Sequence, residues 1–294
     1  MCGITGIYNF SHEVVDENLL INMNNQMISR GPDDGGIYIS KNVGIAMRRL
    51  SIIDIETGSQ PMIDENNDLS IVFNGEIYNY IELRSQLISD GFEFKTKSDT
   101  EVILKLYLKY AFDSVHYLNG MFSFAIFDKK KSILWIARDR FGIKPLYYTY
   151  NQNSFVFGSS INAIKKNKIF TNSLSETSLI NYLSFSYTGK ESIFRNINKL
   201  SPGHQIIINN NKVQLSQYWN IDQKKINKIS NKEFMEKSSY LFNNSISIQS
   251  RSDVEVGSFL SGGIDSSAIT AIHKKNIKQK FHTFSMTFDK KKMN

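Results

Sequence analysis

Met1-Cys2-Gly3-Ile4-Thr5-Gly6 opens the chain, and Cys2 is the only cysteine among its 294 residues. Removal of the preceding methionine leaves a thiol and a free α-amine on one residue. The thiolate is the reactive form, and an α-amine titrates near ~7.7–8.0, low enough to accept the thiol proton around neutral pH. By residue type alone a cysteine reads as a small buried hydrophobe. The rest of the sequence has to decide between core and nucleophile.

Hydrophobic residues make up 41% of the chain and charged residues 21%, the balance of a globular protein with room for one domain and part of another. No apolar run approaches the ~18 residues of a membrane span. Residues 1–15 lack the basic and apolar segments of a secretory signal. A lone cysteine forms no internal disulfide, and a working thiol needs a reducing compartment, so a cytoplasmic location is expected. The net charge of +7 invites a nucleic-acid reading, but the lysines come in short clusters such as Lys129 to Lys131 and Lys290 to Lys292. They form no basic stripe interleaved with aromatics, so neither a nucleic acid nor a membrane is an expected partner.

Organisation changes near residue 215. Before it, short β runs bounded by Asn, Asp and Gly predict strands at Ile4–Asn9, Gly36–Ser40, Gly44–Arg49, Leu69–Phe73, Met121–Asp128, Ile133–Asp139, Leu146–Tyr150, Phe155–Gly158 and Gln205–Ile208. Helices are expected at Tyr80–Asp90 and, after a Ser98…Glu101 capping box, at Glu101–Tyr110. This suits two packed antiparallel sheets with helices outside. The polar stretch 216–231 reads as a linker. Residues 232–294 then offer a helix from Lys232 to about Ser250, a strand Val254–Leu260, a glycine turn, a helix Ser266–Lys275 and a strand Phe281–Phe288. That is one βαβ unit, and hence a parallel sheet.

The most specific local motif is Leu260-Ser261-Gly262-Gly263-Ile264-Asp265-Ser266-Ser267, between that strand and helix. Backbone N–H groups of a glycine turn, a helix N-terminus and serine hydroxyls together suit phosphate oxygens. Without the GK[ST] of a Walker loop, transfer of a γ-phosphate is not implied. The pattern resembles the loop of ATP pyrophosphatases, which activate a carboxylate as an adenylate. Three other segments are ambiguous singly. Asn74-Gly75 reads as a hairpin turn or as an oxyanion hole; Asp99 as a first-turn acid or an ammonium ligand; Arg49 as a surface cation or a carboxylate clamp.

In combination, these segments resemble glutamine-hydrolysing asparagine synthetases along all 294 residues. The resemblance is carried by Met1–Gly6, Arg30-Gly31-Pro32-Asp33, Arg49–Asp54, Phe73–Asn79, Ser98–Glu101, Gly120-Met121-Phe122, Arg138–Tyr147 and Leu260–Ser267. It implies an α+β N-terminal-nucleophile hydrolase, an αββα sandwich over 1–215, then the start of an α/β ATP-pyrophosphatase domain. It also implies roles: Cys2 attacks the glutamine amide, Asn74 and Gly75 hold the oxyanion, and Arg49 binds the α-carboxylate. Asp99, Glu76 and the backbone of Leu50, Ser51, Ile52 and Ile53 surround the rest of the substrate. Leu260, Ser261, Gly262, Gly263, Asp265, Ser266 and Ser267 would cradle ATP, with Mg²⁺ bound to its pyrophosphate near Asp265 and Met286 against the adenine.

Aspartate is the implied acceptor, and the resemblance allows a homodimer. None of the five histidines has metal-ligand spacing, so no protein-held metal is expected. The family runs on for hundreds of residues past its first ATP loop. The expectation is therefore a chain ending inside the synthetase domain, active on glutamine, making no asparagine, and protease-sensitive from about residue 230. Alternatives remain: an amidotransferase for another carboxylate such as a sugar acid or peptide, an RNA-modifying ATP pyrophosphatase, or a fragment that only binds a partner subunit.

Overall fold

Residues 133–137 are apolar on both faces of one strand: Ile133, Trp135 and Ala137 enter one core, Leu134 and Ile136 another. Side chains alternate faces along a strand, so a continuous apolar run demands cover on both sides. The pattern recurs nearby, with Ile71, Phe73, Phe122, Phe124 and Ile126 facing the first core and Val72, Ala125 and Phe127 the second. The consequence is a layered architecture.

The computed structural model describes residues 2–189, 191–222, 229–276 and 281–287. Its contacts divide into two units, Met1–Ile221 and Asp222–Asn294. The first unit begins with β1 Gly3–Asn9, α1 Glu17–Asn25, β2 Asp34–Ser40, β3 Val43–Arg49, β4 Met62–Asp64, β5 Leu69–Ile77 and α2 Tyr80–Ser89. It continues with α3 Asp99–Tyr110, a 3₁₀ segment Ala111–His116, β6 Gly120–Asp128, β7 Ile133–Arg138, β8 Tyr147–Tyr150 and β9 Ser154–Gly158. It closes with α4 Ile161–Ile164, α5 Glu176–Phe185, β10 Asn198–Lys199, β11 His204–Asn209 and β12 Lys212–Gln217.

Two six-stranded sheets result, in the orders β10-β8-β9-β1-β3-β2 and β12-β11-β7-β6-β5-β4. Every neighbouring pair is antiparallel. Between them Ile4, Ile45, Met47 and Phe157 of one sheet meet Val72, Ala125, Ile136 and Ile206 of the other. Leu83, Leu87, Val102 and Leu106 of α2 and α3 cover the second sheet, while Leu20, Met23, Ala163 and Ile164 of α1 and α4 cover the first. This is the expected αββα sandwich.

Several details differ from the sequence reading. β5 runs straight through Asn74-Gly75 to Ile77, paired with β6 along its whole length, so no hairpin turn lies there. Ser98 does cap α3, its hydroxyl accepting from Thr100 N–H, but Glu101 completes no capping box. Its carboxylate accepts instead from the N–H groups of Lys95 and Thr96 and from the Thr96 hydroxyl. The linker expected from 216 starts inside β12. Tyr218 beyond it donates its hydroxyl to Arg138 O (2.6 Å) and Trp219 its N–H to Gly203 O (3.2 Å). The linker residues 223–228 lie outside the described residues.

The second unit contains α6 Asn231–Gln249, β13 Gly257–Phe259, α7 Ile264–Asn276 and β14 His282–Phe284. β13 and β14 pair in parallel, as a βαβ unit requires. Both strands are shorter than the expected Val254–Leu260 and Phe281–Phe288, and Phe288 with residues 289–294 lies outside the described residues. Among the described residues, no helix is long and apolar enough to cross a membrane.

Candidate active site

β1 pairs with β3 in a register that sets Gly3 against Arg48, so Cys2 falls beside the point where β3 ends at Arg49 and Leu50. The Leu50 N–H donates to Cys2 Sγ (3.4 Å), and the thiol points back at Leu50 O (3.6 Å). Arg30 Nε holds the Cys2 carbonyl (3.0 Å). Burial pushes the thiol up from its ordinary range, and the Leu50 N–H, Arg49 and Lys144 pull it down. Rather than filling a core, Cys2 lines a cavity of about 260 Å³.

The opposite wall is β5, and the ladder determines which of its N–H groups face the cavity. In β6, Phe122 accepts from the Asp139 N–H (2.8 Å) and gives its own N–H to the Asp139 carboxylate (3.2 Å). Both its backbone groups therefore point away from β5, and its register partner Gly75 turns its own N–H the other way. Two residues to either side, the matching N–H groups are taken by side chains: Phe73 by Gln60 Oε1 (2.7 Å) and Ile77 by Asp99 Oδ2 (3.0 Å). Gly75 lies between them with its N–H directed to the cavity. A Cβ at Gly75 would sit 2.2 Å from Met121 O, so only glycine fits. Beside it both polar atoms of the Asn74 amide are buried without a hydrogen-bond partner. An orphaned buried polar group costs about 1–3 kcal/mol, a penalty that a carbonyl oxygen arriving in the cavity would relieve at the Nδ2 donor.

Charge is arranged around this pair. Asp99, the first residue of α3, is 4% exposed, and burial pushes its carboxyl up to about 7; the Ile77 N–H opposes the shift and nearby Glu76 adds to it. Burial also raises Glu76, with Lys144 opposing. Two carboxyl groups sharing a buried wall have the chemistry to receive an ammonium group. Arg49 donates to Ile53 O (3.0 Å), Asp54 O (2.6 Å) and Ile55 O (3.3 Å), folding the following loop around itself while it lines the cavity.

Cys2, Arg49, Leu50, Ile52, Ile53, Asn74, Gly75, Glu76 and Asp99 thus line one cavity. Ser51 does not, because its N–H turns to Asp33 Oδ2 (2.9 Å). Sequence reasoning missed Gln60, which joins Phe73 N–H to the Thr100 hydroxyl (3.1 Å), and Lys144, whose segment Arg138–Tyr147 stood out as a motif without an assigned role.

The second candidate site is described by itself. Gly262 adopts φ +83° with nothing within 4 Å of a would-be Cβ, a conformation that leaves the turn's backbone open. The Ser261 and Ser266 hydroxyls lie 3.0 Å apart, and Ser266 also donates to Gly263 O (3.1 Å). Leu260 N–H donates to Phe284 O (2.8 Å) and Ser285 Oγ to Leu260 O (2.7 Å), which keeps Met286 one residue from the loop. Gly263, Asp265, Ser267 and Met286 are exposed. Among the described residues, no group of three or more His, Cys, Asp or Glu side chains could hold a metal ion.

Residues 1–219 match the family described as glutamine amidotransferase domain, and residues 238–294 the family described as asparagine synthase. Glutamine-hydrolysing asparagine synthetase 3 of Bacillus subtilis is 38% identical over 298 residues, 98% of this chain and 48% of the relative. Putative glutamine-hydrolysing asparagine synthetase 2 of Methanocaldococcus jannaschii is 38% identical over 99% of this chain and 60% of its own length. The chain spans about half the length of the curated relatives it matches. Among solved structures, the glutamine phosphoribosylpyrophosphate amidotransferase of B. subtilis gives a TM-score of 0.53 at 17% identity, over 96% of this chain and 65% of that one. Another, titled as the allosteric regulatory enzyme of purine biosynthesis, gives 0.57 at 18% identity over the same shares. At such identity the likeness concerns the fold alone.

Proposed function

The chain belongs to the glutamine amidotransferase family, and on that premise we propose that its first unit hydrolyses glutamine to glutamate and ammonia through Cys2. One observation carries the reading: an orphaned Asn74 amide and the cavity-facing Gly75 N–H stand across one small cavity from the thiol. With Met1 removed, the Cys2 amine takes the thiol proton as Sγ attacks the side-chain amide carbon, and charge developing on the amide oxygen meets the Asn74 and Gly75 donors. The same proton then passes to the departing nitrogen as the C–N bond breaks, releasing ammonia and leaving a thioester. Water hydrolyses the thioester to glutamate and restores the thiol. Arg49 takes the α-carboxylate, and Glu76 with Asp99 the α-ammonium. Glutamate production by the purified chain, absent from Cys2→Ala, tests the reading.

For the whole protein we propose ATP-dependent amidation of aspartate to asparagine by the ammonia released, with AMP and pyrophosphate as the other products. The match over 238–294 and the names of the relatives support it. The open turn at Gly262 with the Ser261 and Ser266 hydroxyls suits a polyphosphate. Asp265 alone would face Mg²⁺, so the ion fits as one carried by the nucleotide, where it would offset phosphate charge. ATP- and aspartate-dependent asparagine formation tests this half, and amidation of a different carboxylate would redirect it.

Asp99 yields a prediction about pH. Only the ionised carboxyl pairs with the substrate ammonium, so kcat/KM for glutamine should fall as pH drops through about 7. Asp99→Asn should be low at every pH and lack that limb. The folded state keeps a proton that the unfolded chain, with its ordinary carboxyl at 3.8, has already lost between 3.8 and about 7. The associated stability is present below 3.8 and is lost as pH rises through about 7. Asp99→Asn should therefore raise Tm at pH 8 in the absence of glutamine, and a lower Tm would assign the carboxylate a structural role.

A further inference from the structure

The segment Arg138–Leu146 is wound on a single buried carboxylate. Asp139, 0% exposed, accepts the N–H groups of Phe122 (3.2 Å), Phe141 (3.1 Å), Ile143 (2.9 Å) and Lys144 (3.0 Å). From outside, the Arg138 guanidinium binds the carbonyls of Lys144 (2.7 Å), Gly142 (2.6 Å) and Leu200. Pro145 and the buried Leu146 follow at once. Lys144 is thus fixed through its own N–H and C=O, and its side chain is 5% exposed and lines the cavity with Cys2 and Glu76. Its ammonium makes no hydrogen bond or ion pair among the described residues. A lysine is almost never buried unless paired, and the mount on Asp139 and Arg138 holds this one in the cavity wall.

We infer that Lys144 is a positioning residue for the nucleophile: its fixed ammonium supports the negative charge that Cys2 carries when it attacks. This rests on the proposed role of Cys2 and adds a residue to it. The groups that face Lys144 are Glu76 from β5, Cys2 ahead of β1, Arg30 after α1 and Asp139 in its own segment. Burial pulls the Lys144 ammonium down from its ordinary value and Arg30 adds to that, while Glu76 and Cys2 oppose it most strongly. Reciprocally, Lys144 and Arg49 are the side-chain cations that pull the Cys2 thiol down against its burial. Arg49 is already engaged by three carbonyls. Arg30 also senses Cys2, but its Nε is bonded to the Cys2 carbonyl, so Lys144 is the cavity-lining cation whose charged end has no hydrogen-bond partner among the described residues.

The test reads Cys2 directly, since the chain has no other thiol to react. Alkylation of the full chain by iodoacetamide is followed against pH for wild type, Lys144→Met and Lys144→Arg, alongside kcat and KM for glutamine. Loss of the cation should raise the midpoint of the Met variant's alkylation profile by about one pH unit, about tenfold slower at pH 7, with convergence at high pH. kcat should fall more than KM rises. The Arg variant should retain the wild-type midpoint. A Met profile superimposed on wild type, or an equal shift in both variants, would overturn the inference. Absence of glutamate formation by wild type would instead sink the glutaminase reading, and the alkylation result would stand apart from it.

Discussion

Asn74→Ala should lower kcat for glutamine hydrolysis by about 10²–10³, the scale on which a single oxyanion donor acts, with KM changing only a few-fold. The expectation comes from an imbalance in the free protein. Asn74 Oδ1 and Nδ2 are buried and unpartnered, at a site where the neighbouring N–H groups on the same edge of β5 have found Gln60 and Asp99. A donor kept unsatisfied until charge develops gains most in the transition state, which is why the loss should appear in kcat. The same imbalance predicts that Tm does not fall, because truncation removes a desolvation penalty beside an existing cavity. A variant that unfolds early, or that loses affinity for glutamine with kcat intact, would show the amide to be a structural or ground-state contact.

The fold was legible where apolar runs are continuous, since strands such as Ile133–Arg138 are buried on both faces. It was illegible where the sheet edge is wet. β12, Lys212–Gln217, is almost wholly exposed, with Val213 and Leu215 its only apolar residues, so the sequence shows no strand there and its last two residues, Ser216 and Gln217, read as linker. Asn210 and Asn211, both at positive φ, form the hairpin turn ahead of it. The converse error was available at Asn74-Gly75, where the same turn chemistry sits in mid-strand. What separates the two is the partner: β6 continues opposite Asn74-Gly75 as far as Gly120, information that local sequence does not contain. Most assigned residues of the cavity were legible as matched motifs, whereas Gln60 and Lys144 were not, because Gln60 acts through a backbone N–H of a distant strand and Lys144 through a backbone mount on Asp139, neither of which a residue pattern displays.

Cys2→Ala should abolish glutamine turnover, by about 10⁴-fold or more, the scale seen when a covalent nucleophile is removed. No second thiol can substitute. Folding should survive, because Cys2 is only half-buried at the margin of the inter-sheet core and lines a cavity, so truncation removes little packing. The stronger form of the prediction concerns the base. Among the described residues no histidine lines the cavity; on the proposed reading Arg49, Glu76 and Asp99 hold the α-substituents of the substrate and Lys144 acts as a cation, which leaves the α-amine to accept the thiol proton. That amine exists only when Cys2 is the first residue, because in a peptide bond its lone pair is delocalised and cannot take a proton. The active protein should therefore weigh one methionine less than the full sequence. A chain carrying a cleavable extension directly ahead of Cys2 should be silent until a protease exposes the cysteine, with activity rising in step with the fraction cleaved by intact mass. Full activity before cleavage would mean that another group takes the proton, and the mechanism would have to be rebuilt around it.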